Sequence, residues 1–125
     1  MVSIFIVEDD ESLCNLYRKA LELNGYEIIG AAKDGEEAIN KFKEFESKPD
    51  IIILDHRMPI KNGLEAAKEI LQIDKTTKII FASADKSIKD EAMAIGAVSF
   101  KDKPFTLERL FRNIKKALDI QTISS

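Results

Sequence analysis

The sequence predicts an α/β domain, a doubly wound parallel sheet with helices on both faces. Short runs rich in β-branched and aromatic residues alternate five times with stretches of helical period. Three of those runs are almost continuously apolar, the pattern of strands covered on both faces rather than one. Turn signals (Asn24-Gly25, Lys48-Pro49 and Gly96) fall where one pattern gives way to the next.

In chain order, "SIFIV" (3–7) is the first strand. The helix after it carries Leu13, Leu16, Tyr17, Ala20 and Leu21 on one face and ends at Asn24-Gly25. "YEIIGAA" (26–32) is the second strand. Asp34, with Glu37 three residues on, has the spacing of a capping box and opens a helix that buries Ala38, Ile39, Phe42 and Phe45. "DIIIL" (50–54) is the third strand, and a helix from Asn62-Gly63 presents Leu64, Ala67 and Leu71. "KIIFAS" (78–83) is the fourth strand, followed by a helix from Ser87 to Ile95. After the fifth strand, "AVSFK" (97–101), Thr106 can cap a last helix with the buried stripe Leu107, Leu110, Phe111, Ile114 and Leu118. Its outer face, Arg109, Arg112, Lys115 and Lys116, reads as solvated surface, and the closing "QTISS" as a frayed tail.

Composition narrows the functional classes. At 125 residues the chain holds one core, burying about two-thirds of the unfolded surface. No apolar run approaches the roughly 20 residues of a membrane span. "MVSIFIVEDDE" has neither the basic start nor the cleavage site of a signal peptide, so a cytoplasmic location is expected. The lone Cys14 excludes an internal disulfide and reads as a small buried residue on the first helix. A net charge of -3 argues against non-specific nucleic-acid binding.

In an open parallel sheet, ligand sites gather beyond the carboxyl ends of the strands. Here those ends carry Glu8, Asp9 and Asp10 after the first strand, Asp55 after the third, Ser83 closing the fourth, and Lys103-Pro104 after the fifth. If the first and third strands are neighbours, Glu8, Asp9 and Asp55 form a like-charge cluster that needs a counter-ion. A hard divalent cation such as Mg²⁺ suits such an oxygen donor set. Acidic residues at strand ends also serve as helix caps, and "EDDE" alone does not separate the two readings; the combination of acids, hydroxyl and lysine does.

"IVEDD", "IIILDHRMPIKNG", "FASA" and "KDKPFT" resemble the signature blocks of the receiver domain of two-component response regulators, over Ser3 to Leu118. The resemblance implies a flavodoxin-like (βα)5 sheet of strand order 2-1-3-4-5, with a stand-alone, chemotaxis-receiver-like domain over 1–120 and a tail over 121–125. It implies that Asp55 accepts a phosphoryl group from a histidine kinase or phosphotransfer protein, assisted by Lys103 and Ser83. It also implies one cofactor, Mg²⁺, held by Asp9, Asp55 and the backbone carbonyl of Arg57, with Glu8 acting through water. Asp10 is left to cap the first helix.

By the same resemblance Ser83 turns inward to the phosphoryl group and Phe100 swings in to fill the vacated space. Phe100 stands where the family often has tyrosine. The face of the fourth helix, fifth strand and fifth helix then controls an effector protein, with phosphorylation-dependent homodimerisation open. Direct binding to nucleic acid or membrane is not expected, nor enzymatic action beyond the domain's own phosphoryl transfer and autodephosphorylation. The Lys103-Pro104 bond is expected to be cis, and His56 to be surface rather than a ligand. Arg57 and Asp85, two residues beyond Asp55 and Ser83, are expected to pair across the mouth of the site.

Other readings weigh less. An aspartyl phosphohydrolase wants a second acid where Arg57 stands, together with a cap domain for which the chain is short. A receiver cut from a longer DNA-binding regulator would be followed by a linker, and none is expected after Leu118. A phosphorylation-independent interaction module would have no need of the full set of chemical positions.

Overall fold

A computed structural model describes residues 1–124, with side chains as far as Asp119. Five parallel strands lie in the order β2-β1-β3-β4-β5: β1 Ser3–Val7, β2 Glu27–Ala32, β3 Ile51–Leu54, β4 Lys78–Ser83 and β5 Ser99–Asp102. Helices α1 Glu11–Leu23, α2 Gly35–Glu44, α3 Gly63–Ile73, α4 Lys89–Ala94 and α5 Leu107–Ser124 connect and flank them. This is the flavodoxin-like architecture that the sequence predicts.

β3 shows why its sequence is apolar without alternation. Ile51 and Ile53 face a cluster with Tyr17, Leu21, Leu110 and Ile114 from α1 and α5. Ile52 and Leu54 face the opposite cluster, with Ala38, Phe42, Ala67 and Ile70 from α2 and α3. All four are fully buried. At about 1.5–3 kcal/mol each, their burial contributes roughly 6–12 kcal/mol before ordering entropy is subtracted. The strand that carries Asp55 is thus firmly held on both faces.

Caps set the helix ends. Asp10 accepts from the Leu13 N–H at 3.1 Å and Asp34 from the Glu37 N–H at 2.8 Å. The reciprocal half of the expected box at α2 is replaced, because the Glu37 carboxylate pairs with Lys41 at 3.3 Å. The full capping box occurs instead at α3, between Asn62 and Glu65. α2 is closed by Lys48 itself, whose ammonium donates to the carbonyls of Phe42 (2.6 Å), Phe45 (2.9 Å) and Lys43 (3.2 Å). Gly25 and Gly96, at φ 86° and 117°, provide the left-handed turns after α1 and α4.

Several expectations need correction. Leu16 is half exposed, because Cys14, Tyr17 and Leu21 point at the sheet and Leu16 lies at the margin of that face. Phe45 is only partly buried, packing edge-on against Phe5 at 5.0 Å between ring centroids. The fourth helix opens as a 3-10 turn, Lys86–Ile88, because Asp85 caps Ser87 tightly before α4 begins. β5 starts at Ser99, where pairing with Ile80 begins. The tail expected over 121–125 continues α5 as far as Ser124; Ser125 lies outside the described residues.

Candidate functional site

Hydrogen bonding continues past the strand ends and sets the site residues side by side. The Glu8 N–H donates to the Ala32 carbonyl, the Asp55 N–H to the Val7 carbonyl and the Lys103 N–H to the Ser83 carbonyl, each at 3.0 Å. Carboxylate oxygens of Glu8, Asp9 and Asp55 consequently lie within 4.8 Å of one another. Lys103 reaches over from the end of β5, its Nζ 2.6 Å from Glu8 Oε1 and 3.4 Å from Asp55 Oδ2. The Lys103-Pro104 bond is cis.

Charge is under-compensated here, with one ammonium against three carboxylates. Glu8 is buried, and that burial raises its pKa to about 7. The Lys103 hydrogen bond and the Asp10 N–H, which donates to Glu8 Oε2 at 3.1 Å, pull it down, while the charge of Asp55 pushes it up. Asp55 is buried as well, and its Oδ1 accepts from the His56 N–H at 2.7 Å. Asp9 is exposed. An all-oxygen donor set with surplus negative charge fits a hard divalent cation.

Ser83 is buried at the end of β4, its Oγ accepting from the Asp85 N–H at 3.1 Å. Asp85 Oδ2 lies 3.4 Å from both Nε and Nη2 of Arg57, so the two loops are joined across the mouth. The other carboxylate oxygen of Asp85 accepts from the Ser87 N–H and hydroxyl; these bonds, the hydroxyl foremost, hold its pKa below the usual carboxylate range, with Arg57 adding to them. Phe100 has its ring inward, stacked on Phe81 at 6.5 Å.

His56 is not free surface as expected. It is half-buried, and its Nδ1 accepts from the Leu64 N–H at 3.4 Å, taking up a donor that the first turn of α3 leaves without a helical partner. Beyond it the chain turns through Ile60 at φ 70°, with the Lys61 N–H donating to the Pro59 carbonyl at 2.7 Å. A β-branched residue in that region is strained.

Gly63 is a site residue that the sequence reading treated only as a helix start. Its N–H donates to the His56 carbonyl at 2.9 Å, and a Cβ built on it would stand 2.2 Å from the carbonyl oxygen of Asp55. Only glycine lets α3 begin directly against the backbone of Asp55. The signal is a glycine at the start of a helix so soon after Asp55, but Asn62-Gly63 is equally explained as a helix start alone.

The family model for the response regulator receiver domain matches residues 4–115. The chain belongs to that family. This receiver is 38% identical to chemotaxis protein CheY of Thermotoga maritima over 115 residues, covering 90% of this chain and 94% of that one. Its fold matches TrrA of Thermotoga maritima, solved in complex with Mg(2+)-BeF, at a TM-score of 0.83 and 35% identity, over 94% of this chain and 99% of that one. It also matches a chain of the CheX-CheY-BeF3-Mg complex of Borrelia burgdorferi at a TM-score of 0.89 and 27% identity, over 94% and 89% of the two chains. The receiver is thus CheY-like, and receivers are signalling proteins that bind Mg²⁺ at their acidic site. No helix among its described residues is long and apolar enough to cross a membrane.

Proposed function

We propose that this receiver is a cytoplasmic phosphorylation switch, taking a phosphoryl group from a histidine donor onto Asp55. The observation that carries the reading is the bridging of Glu8 and Asp55 by Lys103 beside an exposed Asp9. Glu8, Asp9, Asp55 and the Arg57 carbonyl would hold Mg²⁺, which supplies neutralisation of the charge that builds on phosphoryl oxygens. Both oxygens of Glu8 already have partners, which supports an indirect role for it and leaves Asp9 the nearer ligand.

In the transfer, a carboxylate oxygen of Asp55 forms a bond to phosphorus as the bond from phosphorus to the donor's imidazole nitrogen breaks, and that nitrogen takes up a proton from solvent. The His56 N–H on Oδ1 leaves Oδ2 as the attacking oxygen. Lys103, already 3.4 Å from Oδ2, donates to the incoming phosphoryl oxygens. Release of the group by water returns the carboxylate. An apolar groove of ≈ 370 Å³, lined by Leu13, Leu16, Tyr17, Ala84, Pro104 and Phe105, opens beside Lys103 and accounts for the exposure of Leu16. It suits the apolar contact of a donor protein.

Readout follows from Ser83. Turning its hydroxyl toward a phosphoryl group breaks its bond with the Asp85 N–H, and the ring-in packing of Phe100 is then the partner arrangement on β5. The surface of α4, β5 and α5 controls an effector protein, and a phosphorylation-dependent homodimer would use the same surface. Adding fluoroberyllate with Mg²⁺ is expected to shift backbone amide resonances from Ser83 to Asp102; shifts confined to the acidic residues would refute the readout.

Two further outcomes are expected. The pairing of Arg57 with Asp85 would hinder attack of water on the phosphorylated Asp55, so Asp85→Ala is expected to shorten the lifetime of the phosphorylated form a few-fold, a modest effect because the Arg57 side chain is 75% exposed. An unchanged decay rate contradicts this. The second concerns pH. Because the folded-state pKa of Glu8 is about 7 against 4.5, its contribution to stability is present below about pH 4.5 and is lost as pH rises through 7. Cation binding favours the ionised form, so the rise in Tm caused by Mg²⁺ grows between pH 6 and 8. A rise that shrinks over that range would be the contrary result.

A further inference from the structure

Three of the five glycines follow a residue whose side chain can react with the next backbone nitrogen: Asn24-Gly25, Asp34-Gly35 and Asn62-Gly63. Glycine has no Cβ to obstruct that nitrogen, so asparagine before glycine is chemically labile wherever the chain is free to turn. The fold treats the three pairs differently. Asn24 and Gly25 are exposed where α1 ends. The Gly25 N–H donates to the Glu22 carbonyl and the Tyr26 N–H to the Leu21 carbonyl, each at 3.1 Å, while Asn24 Nδ2 donates to the Ala20 carbonyl at 3.0 Å. These bonds close a helix end, the part of a helix that frays first. A Cβ built on Gly25 meets nothing within 4 Å beyond its chain neighbours, so the backbone there has room to turn.

The other two pairs are locked. Gly63 is buried with its N–H on the His56 carbonyl at 2.9 Å, and the Asn62 side chain is committed to the capping box with Glu65. A Cβ on Gly63 would stand 2.2 Å from the Asp55 carbonyl oxygen, so that backbone cannot turn in place. Gly35 is buried likewise, its N–H on the Lys61 carbonyl at 2.9 Å, and Asp34 accepts from the Glu37 N–H at 2.8 Å. Freeing either pair disturbs the segment that links Asp55 to α3. Freeing Asn24 requires only local opening at the end of α1.

We propose that Asn24 is a modification site of the native receiver, deamidating spontaneously to aspartate and isoaspartate, while Asn62 is kept intact by the contacts that hold the Asp55 loop. In the first step the Gly25 nitrogen loses its proton to solvent and bonds to Cγ of Asn24, and the side-chain nitrogen leaves as ammonia, closing a succinimide. Water then opens the ring at either carbonyl. The sum is uptake of water and release of ammonia, with no oxidant or reductant. Either product places a carboxylate where Nδ2 now donates to the Ala20 carbonyl, so an acceptor faces an acceptor at the negative end of α1. The modified chain is therefore less stable, and the change falls at the amino-terminal edge of the sheet, next to the start of β2 at Glu27 and away from the acidic cluster beyond the strand ends.

The test is a time course of the full chain at pH 8, native and in concentrated urea, with the mass gain of deamidation assigned to each asparagine by peptide mapping. In the native samples Asn24 is expected to convert about tenfold or more faster than Asn62, the ratio set by the difference between local and sub-global opening. In urea the two are expected to convert at comparable rates, because the same dipeptide is then equally free at both positions. Asn24→Asp, which carries the product's charge from the outset, is expected to melt at a lower Tm than wild type. Native conversion of Asn62 as fast as that of Asn24, or a native Asn24 that stays intact while the urea sample reacts, overturns the proposal. An unchanged Tm for Asn24→Asp would overturn the predicted loss of stability.

Discussion

Gly63→Ala is expected to slow formation of the phosphoryl adduct on Asp55 by about a hundredfold, the scale of loss that follows a misplacement of roughly 1 Å at a reacting centre. The added methyl would stand 2.2 Å from the carbonyl oxygen of Asp55 and 2.8 Å from the Cα of His56. Both are backbone atoms and cannot rotate away, so either α3 or the Asp55 loop must move. The bond from the Gly63 N–H to the His56 carbonyl moves with it. Overpacking of this kind also costs about 1–3 kcal/mol of stability. Gly35→Ala separates the two effects, since its methyl meets the Lys61 carbonyl at 2.4 Å, away from the carboxylates. It should destabilise without a comparable loss of rate. Time courses by intact mass, with thermal melts alongside, make the comparison; equal rates for wild type and Gly63→Ala would contradict the assignment.

Lys103→Met is expected to destabilise the metal-free protein by about 3–5 kcal/mol at pH 8, the cost of leaving buried carboxylates without their cation. Lys103 is the ammonium partner of both Glu8 and Asp55, and its side chain is only 19% exposed. The loss should be smaller at pH 6. Without Lys103 the Glu8 pKa rises further above its unfolded value, so Glu8 takes up a proton and the repulsion with Asp55 is relieved as pH falls. Mg²⁺ restores part of the stability at pH 8 but not the rate, because the ammonium that meets the phosphoryl oxygens is gone. Denaturant melts at the two pH values, with and without Mg²⁺, measure this. A variant as stable as wild type at pH 8 would show that Lys103 is not the counter-ion of the cluster.

Much of this was legible in the sequence, for physical reasons. Ile51 to Leu54 could be apolar throughout only if both faces of the strand were covered, which led to the parallel sheet and to Asp55 at its edge. Asp10 and Asp34 cap as their spacing indicates. What stayed hidden depends on contacts between segments distant in sequence. A helical period does not say how wide the buried face is, so Leu16 counted as core although it borders the groove at Phe105. The role of Gly63 depends on how closely α3 approaches the strand end, and that of His56 on which orphan donor lies nearby. The pairing of Arg57 with Asp85 was accessible because each follows a strand end by the same short interval.

The most direct test of the central claim is intact-protein mass after incubation with acetyl phosphate and Mg²⁺, beside Asp55→Asn and a chelated sample. A single phosphoryl adduct on the wild type, absent from both controls, is the predicted result. No adduct on the wild type, or one that persists in Asp55→Asn, would contradict the account of Asp55 as the phosphoacceptor.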